Sequence, residues 1–149
     1  GVIGYFLYTR QPVIPYCECL VVGFLAGWFF GRLGCTIVHD HPGALTDFPL
    51  GVRFPDGPRH DLGLYEWLFT ILMLVVVFSI PRLRLPSGAL LGGVAVAYAC
   101  VRFPLDYLRV ADIRYGALTF GQYACIALLF VGIALLARSR RQNPAIAGR

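Results

Sequence analysis

The stretch PYCECLVVGFLAGWFFGRLGCTIV, residues 15–38, decides the fold. It is apolar along nearly its whole length and long enough to cross a hydrocarbon core about 30 Å thick. It also carries an arginine near its end, in Gly31-Arg32-Leu33-Gly34-Cys35. A charge at the bilayer centre costs about 3 kcal/mol, so Arg32 is expected to face a cavity or an anionic partner rather than lipid. Gly23, Gly27, Gly31 and Gly34 recur at a spacing that predicts close approach of a neighbouring helix.

Composition places the rest of the chain in the same class. Hydrophobic residues make up 58% and charged residues 14%, against about 25% charged in an ordinary soluble domain. The first eight residues read as the tail of a longer apolar helix, and the chain opens on glycine without an initiator methionine. A polar turn follows at Thr9 to Pro12, then the span from about Pro15 to Val38. From His39 to Gly63 the composition changes to Asp, Pro, Gly and His, a loop long enough to be functional. Further spans are predicted at about Leu64 to Ile80, from a Ser87 cap to about Arg109 with Pro104 inside, and from Ala117 to Ala137. The predicted fold is all-α: a polytopic membrane bundle of four full spans and one partial span, forming a single membrane domain over residues 1–149.

All thirteen basic residues are arginine. Arg10, Arg82, Arg84, Arg138, Arg140 and Arg141 fall on one side of the predicted bundle, which the positive-inside rule makes cytoplasmic. Asp40, Asp47, Asp56, Asp61 and Asp112 oppose only Arg53, Arg59 and Arg114 on the other, so the long loop is expected to face outward. The net charge of +5 therefore reflects orientation and anion contacts; no basic stripe with interleaved aromatics suggests nucleic acid. Five cysteines, without metal-type spacing, read as small apolar packing residues.

Arg102, Asp106 and Arg109 stand four and three residues apart, which puts them on one helical face. A self-neutralising pair is the plain reading of Arg102 and Asp106. Two arginines against one carboxylate leave a positive surplus, however, and Arg32 adds to it. A phosphate-bearing ligand satisfies such a surplus because guanidinium forks match phosphate oxygens. Glu18 lies four turns, about 21 Å, from Arg32 on the same helix and cannot pair with it; it is either an interfacial carboxylate or part of a polar site. Tyr65 and Glu66 open the next span, Tyr65 as a belt residue or a ligand and Glu66 as a partner for an arginine. His60 is either solvated or able to bind a headgroup and move a proton. His39-Asp40-His41, with His60 beyond, is too weak a pattern for a metal site, and none is expected.

At these residues the sequence resembles the prolipoprotein diacylglyceryl transferase family of bacterial membrane enzymes. Gly31-Arg32-Leu33-Gly34 resembles its Gly-Arg-x-Gly signature; Arg59-His60 with Leu64-Tyr65-Glu66 resembles a second block and Arg102-x-x-x-Asp106-x-x-Arg109 a third. Gly116, Gly121 and Gln122 fall where the family begins its last helix. The resemblance departs at Cys35 and Val38, where the family usually has asparagine, at Asp40 and Asp106, usually glutamate, at Glu18, usually aspartate, and at Pro104. It also implies that the family's His-Gly-Gly block, with another candidate base, would precede Gly1, so that the chain is the C-terminal part of a larger bundle.

The resemblance implies transfer of the diacylglyceryl group from phosphatidylglycerol to the lipobox cysteine of a prolipoprotein signal peptide, with release of glycerol phosphate. Arg32 and Arg102 would grip the headgroup and His60 would serve as base. Glu18, Gly34, Asp40, Tyr65, Glu66, Asp106 and Arg109 would shape the substrate site. No metal or nucleotide cofactor is implied. The implied location is the bacterial cytoplasmic (inner) membrane, with the site toward the outer face and the lipid bilayer itself as a partner. Two other classes stay open: a catalytically silent phospholipid-binding scaffold, and a small transporter with an anion path along Arg102, Asp106 and Arg109, which no inverted repeat supports.

Overall fold

The computed structural model describes residues 2–81, 85–110 and 112–142. Helices α1 (Val2–Tyr8), α2 (Val13–Val38), α3 (Leu62–Ser79), α4 (Ala89–Leu105) and α5 (Phe120–Gln142) make the chain mostly helical. The last four are long and apolar enough to cross a membrane, α4 when counted with the short 3-10 turn Asp106–Leu108 that extends it. Arg82 and Arg84 lie outside the described residues. The long helices pack chiefly in pairs, α2 along α3 and α4 along α5. A small apolar core of Leu25, Val77 and Leu90 joins α2, α3 and α4.

Close helix approach occurs elsewhere than the α2 glycines suggested. No atom stands within 4 Å of where a Cβ would sit on Gly23, Gly27, Gly31 or Gly34, so that face of α2 has no partner among the described residues. The intimate contact is between α4 and α5. A Cβ on Gly92 would come within 2.8 Å of the Gly132 carbonyl oxygen, and one on Gly132 within 2.8 Å of Val96 Cγ2. Lipid supplies no hydrophobic drive between helices, and small residues let backbone packing supply it instead.

The start of α4 also corrects the sequence reading. Gly88, not Ser87, is the N-cap, at φ 90°, and no side chain of its own caps the helix. Glu18 reaches across from α2 instead, its Oε1 accepting from the N–H of Gly88 at 2.9 Å and of Leu90 at 3.2 Å. A carboxylate there satisfies two N–H groups that have no partner within the helix, and it complements the positive end of the helix dipole. At the other end Pro104 falls in the last turn of α4, where the helix ends at Leu105 and tightens into the 3-10 turn.

The segment between α2 and α3 is more ordered than a loop. Strands β1 (Pro42–Leu45), β2 (Val52–Phe54) and β3 (Gly57–Asp61) form an antiparallel sheet in the order β1-β3-β2. Pro55 and Asp56 turn the chain between β2 and β3, with Gly57 at φ 126° supplying the conformation that side chains avoid. A second hairpin, β4 (Arg114–Tyr115) and β5 (Leu118–Thr119), precedes α5. A bridge from Gly43 to Arg109 ties the sheet to the end of α4.

Candidate functional site

Glu66, one turn into α3 and 3% exposed, is the hub of the polar cluster. Arg32 from α2 meets its Oε2 at 2.6 Å, and Arg102 from α4 binds its Oε1. Arg102 also reaches Asp106 Oδ1 at 3.0 Å, and Arg109 lies 3.7 Å from that same oxygen while pairing with Asp112 at 3.2 Å. The four-and-three spacing of Arg102, Asp106 and Arg109 thus places all three in one ladder, despite Pro104. Arg32 and Arg102 are each 13% exposed, so their charges act where water screens poorly. Three guanidiniums face two buried carboxylates, and only the exposed Asp112 offsets the third. Three atoms of the cluster, Glu66 Oε2, Asp106 Oδ1 and Arg109 Nε, are buried without an aligned hydrogen-bond partner among the described residues. A ligand with several acceptor oxygens would use the spare donor and spread the arginine charge.

The cluster is built from below and behind. The Arg32 guanidinium lies over the Trp28 ring, 4.5 Å from its centroid, as the spacing of one helical turn allows. Asp106, 1% exposed, accepts from the Thr119 hydroxyl. Thr119 and Gln122 cap α5 reciprocally: the Thr119 N–H donates to Gln122 Oε1 at 3.0 Å and the Gln122 N–H to Thr119 Oγ1 at 3.1 Å. Gly121 lets this cap approach, since a Cβ there would stand 2.5 Å from Asp106 Oδ2. Trp28 and Thr119 were not singled out from the sequence. A Thr-x-x-Gln pair ahead of an apolar run and a tryptophan four residues before an arginine were the signals available.

Space beside the cluster is divided in two. Trp28, Glu66, Phe69, Tyr98, Val101, Arg102 and Leu105 enclose a crevice of about 10 Å³, room for one water at most. Trp28, Phe69 and Tyr98 also line an apolar cavity of about 310 Å³ that continues along Val21, Leu25, Met73 and Val94. A larger cavity, about 440 Å³, surrounds Glu18 with Pro15, Cys19, Val22, Leu85 and Leu90 at the far end of α2.

The remaining candidates are distributed more widely. Glu18 is at the α4 cap, away from the arginines. Gly34 lies on the open face of α2. His60 Nδ1 is 2.8 Å from the Tyr65 hydroxyl, and Phe48 packs beside both rings. Asp40 is exposed and paired with His41, whose hydrogen bond holds its carboxyl below the usual range. Cys35 brings its sulfur to that pair, the three donor atoms lying within 4.8 Å of one another, but Asp40 and His41 are committed to each other. On the three-stranded sheet the Arg59 guanidinium likewise holds the exposed Asp56 carboxyl low.

The family model for prolipoprotein diacylglyceryl transferase matches residues 1–138. Among similar curated proteins are three named phosphatidylglycerol–prolipoprotein diacylglyceryl transferase. That of Nitratidesulfovibrio vulgaris Miyazaki F is 37% identical, over 91% of this chain and 56% of its own length. Those of Idiomarina loihiensis and Methylococcus capsulatus are 32% and 31% identical, over 97% and 96% of this chain and 59% of their own length in both cases. The chain thus spans a little over half the length of these relatives.

Proposed function

The chain belongs to the prolipoprotein diacylglyceryl transferase family, and on that footing we propose that it takes part in moving the diacylglyceryl group of phosphatidylglycerol to the lipobox cysteine of a prolipoprotein. In this reaction the cysteine sulfur attacks the glyceryl carbon that bears the phosphate ester. A C–S bond forms, the C–O bond breaks, and glycerol phosphate leaves with the bonding electrons.

The observation that carries the reading is the shared grip of Arg32 and Arg102 on Glu66 beside an apolar cavity of about 310 Å³. Preorganised positive charge in a poorly screened site stabilises a leaving anion. The phosphate would enter between the two guanidiniums, with Arg109 Nε a further donor, and one acyl chain would follow the cavity past Trp28 and Phe69. Glu66 and Asp106 hold the arginines in place until the lipid arrives. Tyr65, Asp40 and Gly34 would border the approach of the signal peptide, and Glu18 would support the bundle from its far end. The reading places the protein in the bacterial cytoplasmic membrane with its polar cluster toward the outer face, where the arginine-poor loops lie.

Membranes containing the protein, supplied with labelled phosphatidylglycerol and a lipobox peptide, should transfer label to the peptide thiol. Arg102→Ala should abolish the transfer. Phospholipid binding with no transfer would overturn the enzymatic reading and leave a silent scaffold.

A further inference from the structure

The left-handed residue that ends α2 also gathers a set of unlike donors. His39 adopts φ 54°, and its N–H closes the helix on the Cys35 carbonyl oxygen at 2.9 Å. The chain therefore turns back on the last turn of α2, and Asp40 and His41 come beside the Cys35 side chain. One donor atom from each, a thiol sulfur, a carboxylate oxygen and a ring nitrogen, lies within 4.8 Å of the other two. Among the described residues no other three side chains of these types converge so closely. The turn is fixed on both sides. The His39 ring is held at 2.5 Å by Asp61, which is fully buried, and the Leu62 N–H donates to the His41 carbonyl oxygen at 3.2 Å. Asp40 is exposed, so an ion in water reaches the cluster directly.

The donor set selects the kind of ion. A thiolate and a carboxylate together offset the charge of a divalent cation, and a neutral imidazole adds none. Sulfur and nitrogen donors suit zinc and its transition-metal neighbours, at about 2.3 Å for sulfur and about 2.1 Å for nitrogen and oxygen, whereas magnesium and calcium require about six oxygens or more. Three protein donors leave the fourth tetrahedral position to water, which the exposed side supplies. We propose that Cys35, Asp40 and His41 bind one zinc-type divalent ion at the end of α2. The hydrogen bond between Asp40 and His41 is no obstacle, since the ion takes the place of the proton between them. The Cys35 proton leaves to water, and side-chain rotations draw the three donors in. The His-x-His pattern of the sequence misleads as to its ligands: His39 is spent on Asp61, and the third donor is a cysteine from within the apolar span. Nothing in the site depends on the transferase reading.

Cobalt(II) is the probe, because it takes the same tetrahedral sites as zinc and a thiolate ligand gives it an intense near-ultraviolet charge-transfer band. The full chain in detergent, reduced and stripped of metal with a chelator, should gain that band at one cobalt per chain and lose it to added zinc. Cys35→Ser should lack the band while melting, without metal, at the wild-type temperature. His41→Ala should bind cobalt about 100-fold more weakly, since losing even a residue that only supports a metal ligand costs about 10–100-fold. Replacing Cys17 and Cys19 together by serine should leave the band unchanged. Zinc should raise the melting temperature of the wild type and not of Cys35→Ser, as an ion that binds only the folded chain stabilises it. No band in the wild type, a band that survives Cys35→Ser or is lost with Cys17 and Cys19, or equal affinity in His41→Ala would overturn the site.

Discussion

Arg32 and Arg102 are bound to opposite oxygens of one carboxylate, Glu66, and thereby hold α2, α3 and α4 together at the same depth. This arrangement keeps two arginines satisfied in a poorly screened interior by placing a carboxylate between them. It also makes Glu66 a competitor of any bound phosphate.

Glu66→Gln should therefore separate stability from affinity. Removing one partner of a buried ion pair costs roughly 3–5 kcal/mol, so the variant's melting temperature should fall in detergent without phospholipid. Added phosphatidylglycerol should raise that temperature by more than it raises the wild type's. An equal or smaller rise would show that the arginines do not receive the phosphate.

Gly121→Ala tests the support behind Asp106. The added methyl would stand 2.5 Å from the carboxylate and must displace it from Arg102. Overpacking of this kind costs about 1–3 kcal/mol. Transfer should fall with the melting temperature, and Thr119→Ala, which removes both the hydroxyl on Asp106 and the acceptor for the Gln122 N–H, should lower transfer and stability together.

Glu18→Ala should act on the fold alone. It removes the acceptor for two N–H groups at the start of α4, a loss of about 1–2 kcal/mol by the scale of helix caps. Thermal unfolding should report that loss, while transfer measured well below the transition should stay near the wild-type rate.

Asp40, just ahead of β1, gives the three-stranded sheet a pH dependence. Its carboxyl is held low by His41, so the folded state binds the proton more weakly than the unfolded chain does. The stabilisation is present in full above about pH 4 and is lost as the pH falls through the lowered value. Amide exchange in β1, corrected for its intrinsic rate, should accelerate on acidification in the wild type and not in Asp40→Asn.

Much of this was legible in the sequence because it depends on periodicity. The apolar runs fix four spans, and the spacing of Arg102, Asp106 and Arg109 fixes a ladder that Pro104 does not disrupt. Glu18 was less legible, since its partners are backbone N–H groups of another helix rather than a charge that can be counted. The three-stranded sheet was hidden by strands of only three to five residues, two of them containing proline, although Pro55-Asp56-Gly57 is a turn signature. The pairing of His39 with Asp61 depends on how α2 and α3 meet, which no local pattern encodes.

The central claim is that Arg32 and Arg102 act on one phosphate as a unit. A double-mutant cycle of diacylglyceryl transfer, using Arg32→Gln, Arg102→Gln and both together, tests it most directly. Each single change should cost about 100-fold or more, the scale of a lost charge-stabilising donor, and the double little more than the worse single, as for groups that work together. Losses that multiply independently, or a single variant that transfers at the wild-type rate, would contradict it.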